Sequence, residues 1–444
     1  MVEEARGVMS ADEMSALSLR HTMFDWVPQH SVVPVPIEYA KGVYMYTPDG
    51  KRYLDFNSQL MCVNIGHGDQ RVLDAITAQA QKVCYVHPYT ATEPRARLGR
   101  KLSELAPGDL DVWFFTNGGA EANENAIKIA RHYTGRQKVL ARYRSYHGAS
   151  GATMVATGDP RRWGAEIGIS GIVRAPDFHK WGEPDPVPTD VALRELEDVI
   201  MYEGPQNIAA FIMEPIVGTN GILIPPDGYM QGVRDICTQH GILLIADEVM
   251  SGFGRTGEWF AVDNWGIEPD LMSIAKGLTS SYVQLGAVGM SRKIADTWGD
   301  IPFVGGLTYN SHPLACATAL AVIDVYEQDD LIARSKAMGE VMAEHHRRLR
   351  EKHPSLFRTR NVGLFGILDL SRSADHYEPL APYNGTSDEM KAIGAYFKEH
   401  GLFTFLRFNM IHTNPPLTIS EEEMAEGFEI IDGALDIADQ AVRA

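Results

Sequence analysis

Cysteine is scarce in this chain: Cys62, Cys84, Cys237 and Cys316 lie scattered through 444 residues. No two form a CxxC pair and none sits among histidines, so neither a zinc site nor a disulfide framework is indicated. Reduced thiols in a cytoplasmic protein are the simple account of that usage. Long apolar runs are missing as well, none approaching the roughly 18 residues that a membrane span needs. Residues 1–6 (MVEEAR) are too acidic for a signal peptide and no apolar segment follows them. Positive charge is in deficit: 58 acidic against 40 basic residues give a net charge of −18. Nucleic acid and anionic membrane surfaces both demand a basic footprint, so neither is an expected partner. Internal repeats, low-complexity tracts and flexible linkers are absent too. What is left reads as a soluble, cytoplasmic, globular chain. Its 45% hydrophobic and 22% charged residues are ordinary, and its length allows a large core and two domains.

The order of patterns along the chain sets the architecture. Ser10 and Glu13 have capping-box spacing and predict a short helix to about residue 20. Apolar stretches on either side of Pro48-Asp49-Gly50 predict a β-hairpin over 43–56, followed by a helix over 71–83. From about 95 to 290, helical patterns (95–105, 122–133, 192–201, 228–240) alternate with short apolar runs (112–115, 138–141, 209–213, 242–246, 271–274). Such alternation predicts a mostly parallel sheet with helices on both faces. A proline-rich stretch at 181–188 reads as a surface loop. Pro313 starts a helix over 314–327, with more helix over 333–349. Beyond it, strands over 364–370 and 402–408 and helices over 387–400 and from Ser420 predict a smaller α+β unit. The division expected is an N-terminal segment (1–70) belonging to a small domain, a large domain (71–325) and the rest of the small domain (326–444).

Three stretches carry chemistry. GILLIADEV (241–249) reads as a buried parallel strand with Asp247 and Glu248 at its carboxyl end, where open α/β sheets bind ligands. PDLMSIAKGL (269–278) is a second apolar run, ending in Lys276. FFTNGGAE (114–121) joins a strand to a helix through two glycines, either a plain turn or an anion cradle at a helix amino terminus. Alone, Lys276 would be a surface lysine and the acidic pair a helix cap. Together they suit an enzyme holding a carbonyl cofactor as a Schiff base, with a carboxylate keeping a pyridine nitrogen protonated. Tyr146, in SYHG (145–148), offers a ring to stack on it. GFGRTG (252–257) matches the dinucleotide fingerprint and would suit a nicotinamide-dependent dehydrogenase, with Asp270 near the distance of a ribose-binding acid; yet EWFAVD follows it, not a helical pattern.

These residues resemble the class III aminotransferases over nearly the whole chain. The resemblance rests on FTNGGAEAN (115–123), SYHG (145–148), Glu214-Pro215, DEVMSGFGRTG (247–257), Pro269-Asp270, AKGL (275–278) and TYNSHP (308–313). It implies the fold type I scaffold, pyridoxal 5'-phosphate as cofactor and ping-pong transfer of an amino group from an amine donor to an oxo acid. It also implies the roles. Lys276 would carry the cofactor and shuttle a proton, and Asp247 would pair with the pyridinium nitrogen. Val249 and Tyr146 would cover the two ring faces, and backbone N–H groups of Gly119 and Ala120 would hold the phosphate. Glu214 would belong to the supporting hydrogen bonds. Thr308 would reach the phosphate of a neighbouring subunit, making a homodimer with shared sites, which could pair into a tetramer. Another reaction on the same scaffold (mutase, racemase, decarboxylating) is the alternative. At the substrate end, Met61 stands where the pyruvate-linked enzymes have tryptophan. Ser58-Gln59-Leu60 and RYRSYHG (142–148) look more like taurine:2-oxoglutarate aminotransferases. Gln59, Met61, Arg144 and Arg407 are the candidate substrate contacts, the arginines for an acid group.

Overall fold

A computed structural model describes residues 9–166, 168 and 171–442; the acidic stretch 1–6 lies outside them. Ser10 caps the helix Ala11–His21, its hydroxyl accepting from the Glu13 N–H at 3.2 Å, as the spacing predicts. The expected hairpin is present. Strands β1 (Tyr39–Lys41), β2 (Tyr44–Tyr46) and β3 (Arg52–Asp55) pair antiparallel, and Gly50 takes φ +84° in the turn. Helices Gln70–Lys82 and Glu93–Leu105 follow, near their expected places.

The central sheet comprises β4 (Leu110–Thr116), β5 (Lys138–Arg142), β6 (Ile172–Ala175), β7 (Ile208–Met213), β8 (Leu243–Asp247), β9 (Leu271–Ile274) and β10 (Gly286–Ser291). Its order is β4-β10-β9-β8-β7-β5-β6, and only β10 runs antiparallel to its neighbours. Every residue of β7, β8 and β9 is buried, the consequence of helices covering both faces. Two strands escape the sequence pattern. β10 carries Gly286 and Gly289, poor strand formers, and β6 is a half-buried edge. The 181–188 stretch is a surface loop.

Helices Pro313–Gln328 and Leu331–Lys352 lead to β11 (Leu356–Val362) and β12 (Phe365–Leu370). The single strand expected over 402–408 is divided: β13 (Leu402–Phe403) pairs in parallel with β3, whereas β14 (Leu406–Arg407) pairs with β15 (Met410–Thr413). A strand edge pairs with one neighbour, and this segment serves two sheets, leaving the first across Thr404 and Phe405; Phe408, at φ +55°, then opens the turn between β14 and β15. β11, β12, β15 and β14 form the third sheet, against which the helix Leu331–Lys352 packs, while helices Asp388–His400 and Glu421–Asp439 pack on each other. Among the described residues no helix is long and apolar enough to cross a membrane.

The glycine fingerprint at 252–257 is a structural loop. No α-helix opens there; the next helical turn is the 3₁₀ stretch Ala261–Trp265. Arg255 is fully buried and donates to the carbonyls of Leu364 (3.1 Å) and Pro415 (2.6 Å), to Ser58 Oγ (2.9 Å) and to Asn64 Oδ1 (2.8 Å). Asp270 accepts from Arg234 Nη1 (2.8 Å) and the Leu244 N–H (2.7 Å) at the amino end of the strands, away from Asp247. Replacing Arg255 by methionine would strip four buried acceptors of their donor. A stability loss of about 3 kcal/mol in denaturant unfolding is expected.

Candidate active site

At the carboxyl ends of β8 and β9 the chain encloses a cavity of about 330 Å³. Asp247, the last residue of β8, is 3% exposed and held from three directions. The Val249 N–H donates to Oδ1 at 3.1 Å, Asn123 Nδ2 donates to Oδ2 at 2.7 Å, and His147 Nδ1 lies 2.8 Å from Oδ2. That set leaves the carboxylate one fixed orientation.

Lys276 follows β9 in a 3₁₀ turn with φ +44°, a conformation that costs a non-glycine residue of order 1 kcal/mol and is tolerated where the surroundings enforce it. The residue is half-buried and lines the cavity, and its Nζ has no hydrogen-bond or ion-pair partner among the described residues. Burial pushes the ammonium pKa down, against the opposing pull of Cys62, Asp247 and Glu214. The neutral amine so favoured is the nucleophilic form.

The opposite wall is the amino terminus of the helix Gly119–Thr134. The N–H groups of Gly119, Ala120 and Glu121 have no partner among the described residues, as a first helical turn requires, and the helix dipole adds positive potential there. A Cβ on Gly119 would sit 2.7 Å from Val249 Cγ1, so glycine is what lets Val249 pack onto this turn. Asn117 donates to Glu121 Oε2 through its N–H (2.8 Å) and its side-chain amide (2.9 Å), closing the loop before the helix.

Tyr146 lines the third side. Its N–H donates to Glu214 Oε1 at 2.9 Å, and Gly218 N–H donates to Oε2 at 2.7 Å, so Glu214 ties two loops together beside the cavity. Burial raises the Glu214 carboxyl above its usual range.

The remaining candidates lie apart from this lining. Met61 is buried with Met250, which lines the cavity, and with Phe408. Gln59, at φ +58°, donates its amide to Asp55 Oδ2 at 2.9 Å. Arg144 is not brought to the cavity: it is buried, donating to the carbonyls of Asn220 (2.5 Å) and His179 (3.3 Å). Arg407 donates to Asp159 Oδ2 at 2.9 Å. Thr308 is exposed outside its own chain's cavity, its carbonyl accepting from the Tyr85 hydroxyl at 2.7 Å. Sequence reasoning missed Asn123 and His147 as partners of Asp247, and Arg161, whose guanidinium lies 3.8 Å over the Tyr146 ring. Asn123 was within reach of a pattern argument, being one helical turn from Ala120; Arg161 left no such signal.

Comparison with known proteins agrees with this geometry. The family model for class-III aminotransferases matches residues 27–435. A taurine:2-oxoglutarate aminotransferase from Bifidobacterium kashiwanohense, solved with pyridoxal phosphate and glutamate, superposes with a TM-score of 0.94 and 39% identity, covering 98% of this chain and 99% of that one. An aminotransferase of Bacillus subtilis, YhxA, is 36% identical over 441 residues (95% of this chain, 97% of its own). A putrescine–pyruvate aminotransferase of Pseudomonas aeruginosa is 32% identical over 426 residues, 92% of each chain. The cofactor of this family fits what the cavity offers: free N–H groups at a helix start, a fixed buried carboxylate and an unpartnered lysine amine. The chain belongs to the class-III aminotransferases, with fold type I architecture, and is a pyridoxal-phosphate-dependent enzyme that moves an amino group from an amine donor to an oxo acid.

Proposed function

We propose that the donor is a short ω-amino acid of the taurine or β-alanine type and the acceptor 2-oxoglutarate or pyruvate, in a ping-pong cycle. The observation that carries the site assignment is the convergence of Lys276, Asp247 and the helix amino terminus on one cavity. Bound there, pyridoxal phosphate supplies a carbonyl that takes up the amine and a protonated ring that draws electrons from the substrate carbon. The chain's own residues do the rest. Lys276 accepts and returns a proton at Nζ. Asp247, fixed by Asn123 and His147, keeps the ring nitrogen protonated. Val249 and Tyr146 confine the ring, the N–H groups of Gly119 and Ala120 receive the phosphate, and Arg407 receives an acid group. Gly119→Val would drive a side chain into Val249, and cofactor affinity in equilibrium dialysis should fall about tenfold or more.

For the donor class, the support is the likeness to the taurine enzyme and the Ser58-Gln59-Leu60 text; for pyruvate as acceptor, it is the putrescine–pyruvate relative. A panel of taurine, β-alanine, 4-aminobutyrate, 1-phenylethylamine and ornithine against both oxo acids tests this. Preference for the acid-bearing short donors, with one oxo acid consumed per amine, is the expected result; preference for 1-phenylethylamine or ornithine would contradict it. Unequal consumption would point to a mutase, racemase or decarboxylating reaction.

We further infer a cytoplasmic homodimer in which Thr308 serves the partner's phosphate site, with the small domain built from both chain ends. Supporting the dimer, Tyr89, Val304 and Tyr309 are 95%, 77% and 59% exposed near Thr308 in sequence or, for Tyr89, on the segment that Tyr85 ties to it. Mixing Lys276→Ala subunits with Thr308→Val subunits should restore one intact site per heterodimer, so cofactor retention and activity should rise above either parent. No gain on mixing would contradict sharing.

A further inference from the structure

Three consecutive backbone carbonyls beside the cavity each receive a guanidinium, and none of the roles above uses them. They belong to the turn 218–222, closed at its base by an antiparallel bridge between Val217 and Leu223. Arg144, which does not reach the cavity, donates Nη2 to the Asn220 carbonyl at 2.5 Å. Arg360, on β11 of the third sheet, donates Nε to the Ile222 carbonyl at 2.9 Å and Nη2 to that of Gly221. The turn is strained. Gly221 sits at φ +128° and Ile222 at +44°, a conformation that a β-branched residue keeps only where its surroundings enforce it. A Cβ on Gly221 would stand 3.0 Å from Arg144 Nη2 and 3.2 Å from Met410 Sδ, so glycine is what admits the guanidinium.

Arg360 is itself anchored. Its Nη1 donates to Asp369 Oδ2 at 2.7 Å, and Arg358, on the same face of β11, donates Nη2 to the same oxygen at 2.6 Å. Burial pushes the Asp369 carboxyl up, but Arg360 and Arg358 together overcome it and hold the group well below its usual range. The anchor is therefore charged at neutral pH. From the turn, two ties run to Tyr146. Glu214 accepts from the Gly218 N–H at 2.7 Å and from the Tyr146 N–H at 2.9 Å. Thr219 Oγ1 accepts from Arg161 Nη2 at 2.7 Å, and that guanidinium lies 3.8 Å from the Tyr146 ring centre.

Resting on the proposed role of Tyr146 against the cofactor ring, we propose that Arg360 is a positioning residue for the reaction. Anchored on Asp369, it holds the turn 218–222 in its strained form, and the turn sets Tyr146 through Glu214 at the backbone and Arg161 at the ring. A side chain without the fork leaves the Gly221 and Ile222 carbonyls without their donor; the turn relaxes and Tyr146 moves with it. Spanning two carbonyls and a carboxylate at once takes a planar guanidinium, which lysine does not offer.

The test is a double-mutant cycle on Arg360 and Tyr146. It is read on the dissociation constant of pyridoxal phosphate in equilibrium dialysis and on the limiting rate of the half-reaction with the fastest donor of the panel. Arg360→Gln alone should weaken cofactor binding and lower the limiting rate, each about tenfold. Added to Tyr146→Ala, it should change either quantity by less than about threefold, because its effect passes through the ring already removed. A merely structural role would multiply the two effects. A further change of about threefold or more in the Tyr146→Ala background, or a smaller change than that from Arg360→Gln alone, would overturn the proposal. Thermal unfolding of the cofactor-free proteins shows whether Arg360→Gln folds. If it does not, Arg360→Lys, which keeps a cation on Asp369 but cannot reach both carbonyls, goes through the same cycle with the same outcomes. Unchanged cofactor binding in Tyr146→Ala overturns the proposed role of Tyr146 and this inference together. Weakened binding there, with Arg360→Gln silent or fully additive, overturns the inference only.

Discussion

Replacing Lys276 by alanine is expected to lower transamination about ten-thousandfold, because it removes the residue proposed both to carry the cofactor and to move the proton. The fold should survive. Nζ makes no hydrogen bond or ion pair among the described residues, so its loss orphans no buried partner. Its backbone sits at φ +44°, which alanine tolerates no worse than lysine. The variant should therefore unfold at nearly the wild-type temperature while losing the covalent, donor-sensitive absorption of the wild type. A pH argument supports the same assignment. Burial lowers the Lys276 pKa, so its neutral form is populated at lower pH than for a free lysine near about 10.4. The rate at which cofactor-free protein captures the carbonyl cofactor should rise with pH around a midpoint below that value. A midpoint at or above it would contradict the burial argument.

Asp247→Ala should cost about a thousandfold in kcat/KM through a different route. In its proposed role the carboxylate holds the ring nitrogen's proton, so without it electron withdrawal from the substrate carbon would weaken. His147 Nδ1 and Asn123 Nδ2 lose their shared acceptor in a buried setting, so a stability loss of about 1–3 kcal/mol accompanies it. The two effects separate experimentally. His147→Ala would disturb the orientation of Asp247 but keep its charge, and the activity loss should be smaller, about tenfold to a hundredfold. Cofactor absorption titrated with pH would show the difference directly, since the ring nitrogen titrates at lower pH when Asp247 is gone.

The legible parts of this molecule were those whose signal is local. β8 is buried on both faces and reads as an unbroken apolar run ending in acid; Lys276 closes the neighbouring run; the glycines at 118 and 119 stand between a strand and a helix. Each pattern follows from one element's own burial. β10 was not legible because its glycines carry no strand signal and its place comes from pairing with β4 and β9. The split at Thr404 and Phe405 was hidden because two different sheets compete for one short segment. Arg144 reads as a candidate contact beside SYHG, yet its partners are residues 179 and 220, and a buried tie of that span leaves no periodicity. The same holds for Arg407, whose carboxylate partner Asp159 lies 248 positions away. Pattern locates the strand ends and the helix start that line the cavity; long-range side-chain ties leave no such pattern.

The most direct test of the account is a single half-reaction. Holoenzyme mixed with excess taurine or β-alanine and no oxo acid should lose its visible absorption band and release one equivalent of carbonyl product per active site. The band should return when 2-oxoglutarate or pyruvate is added. An unchanged band with every donor, or product accumulating past one equivalent without an acceptor, would contradict it.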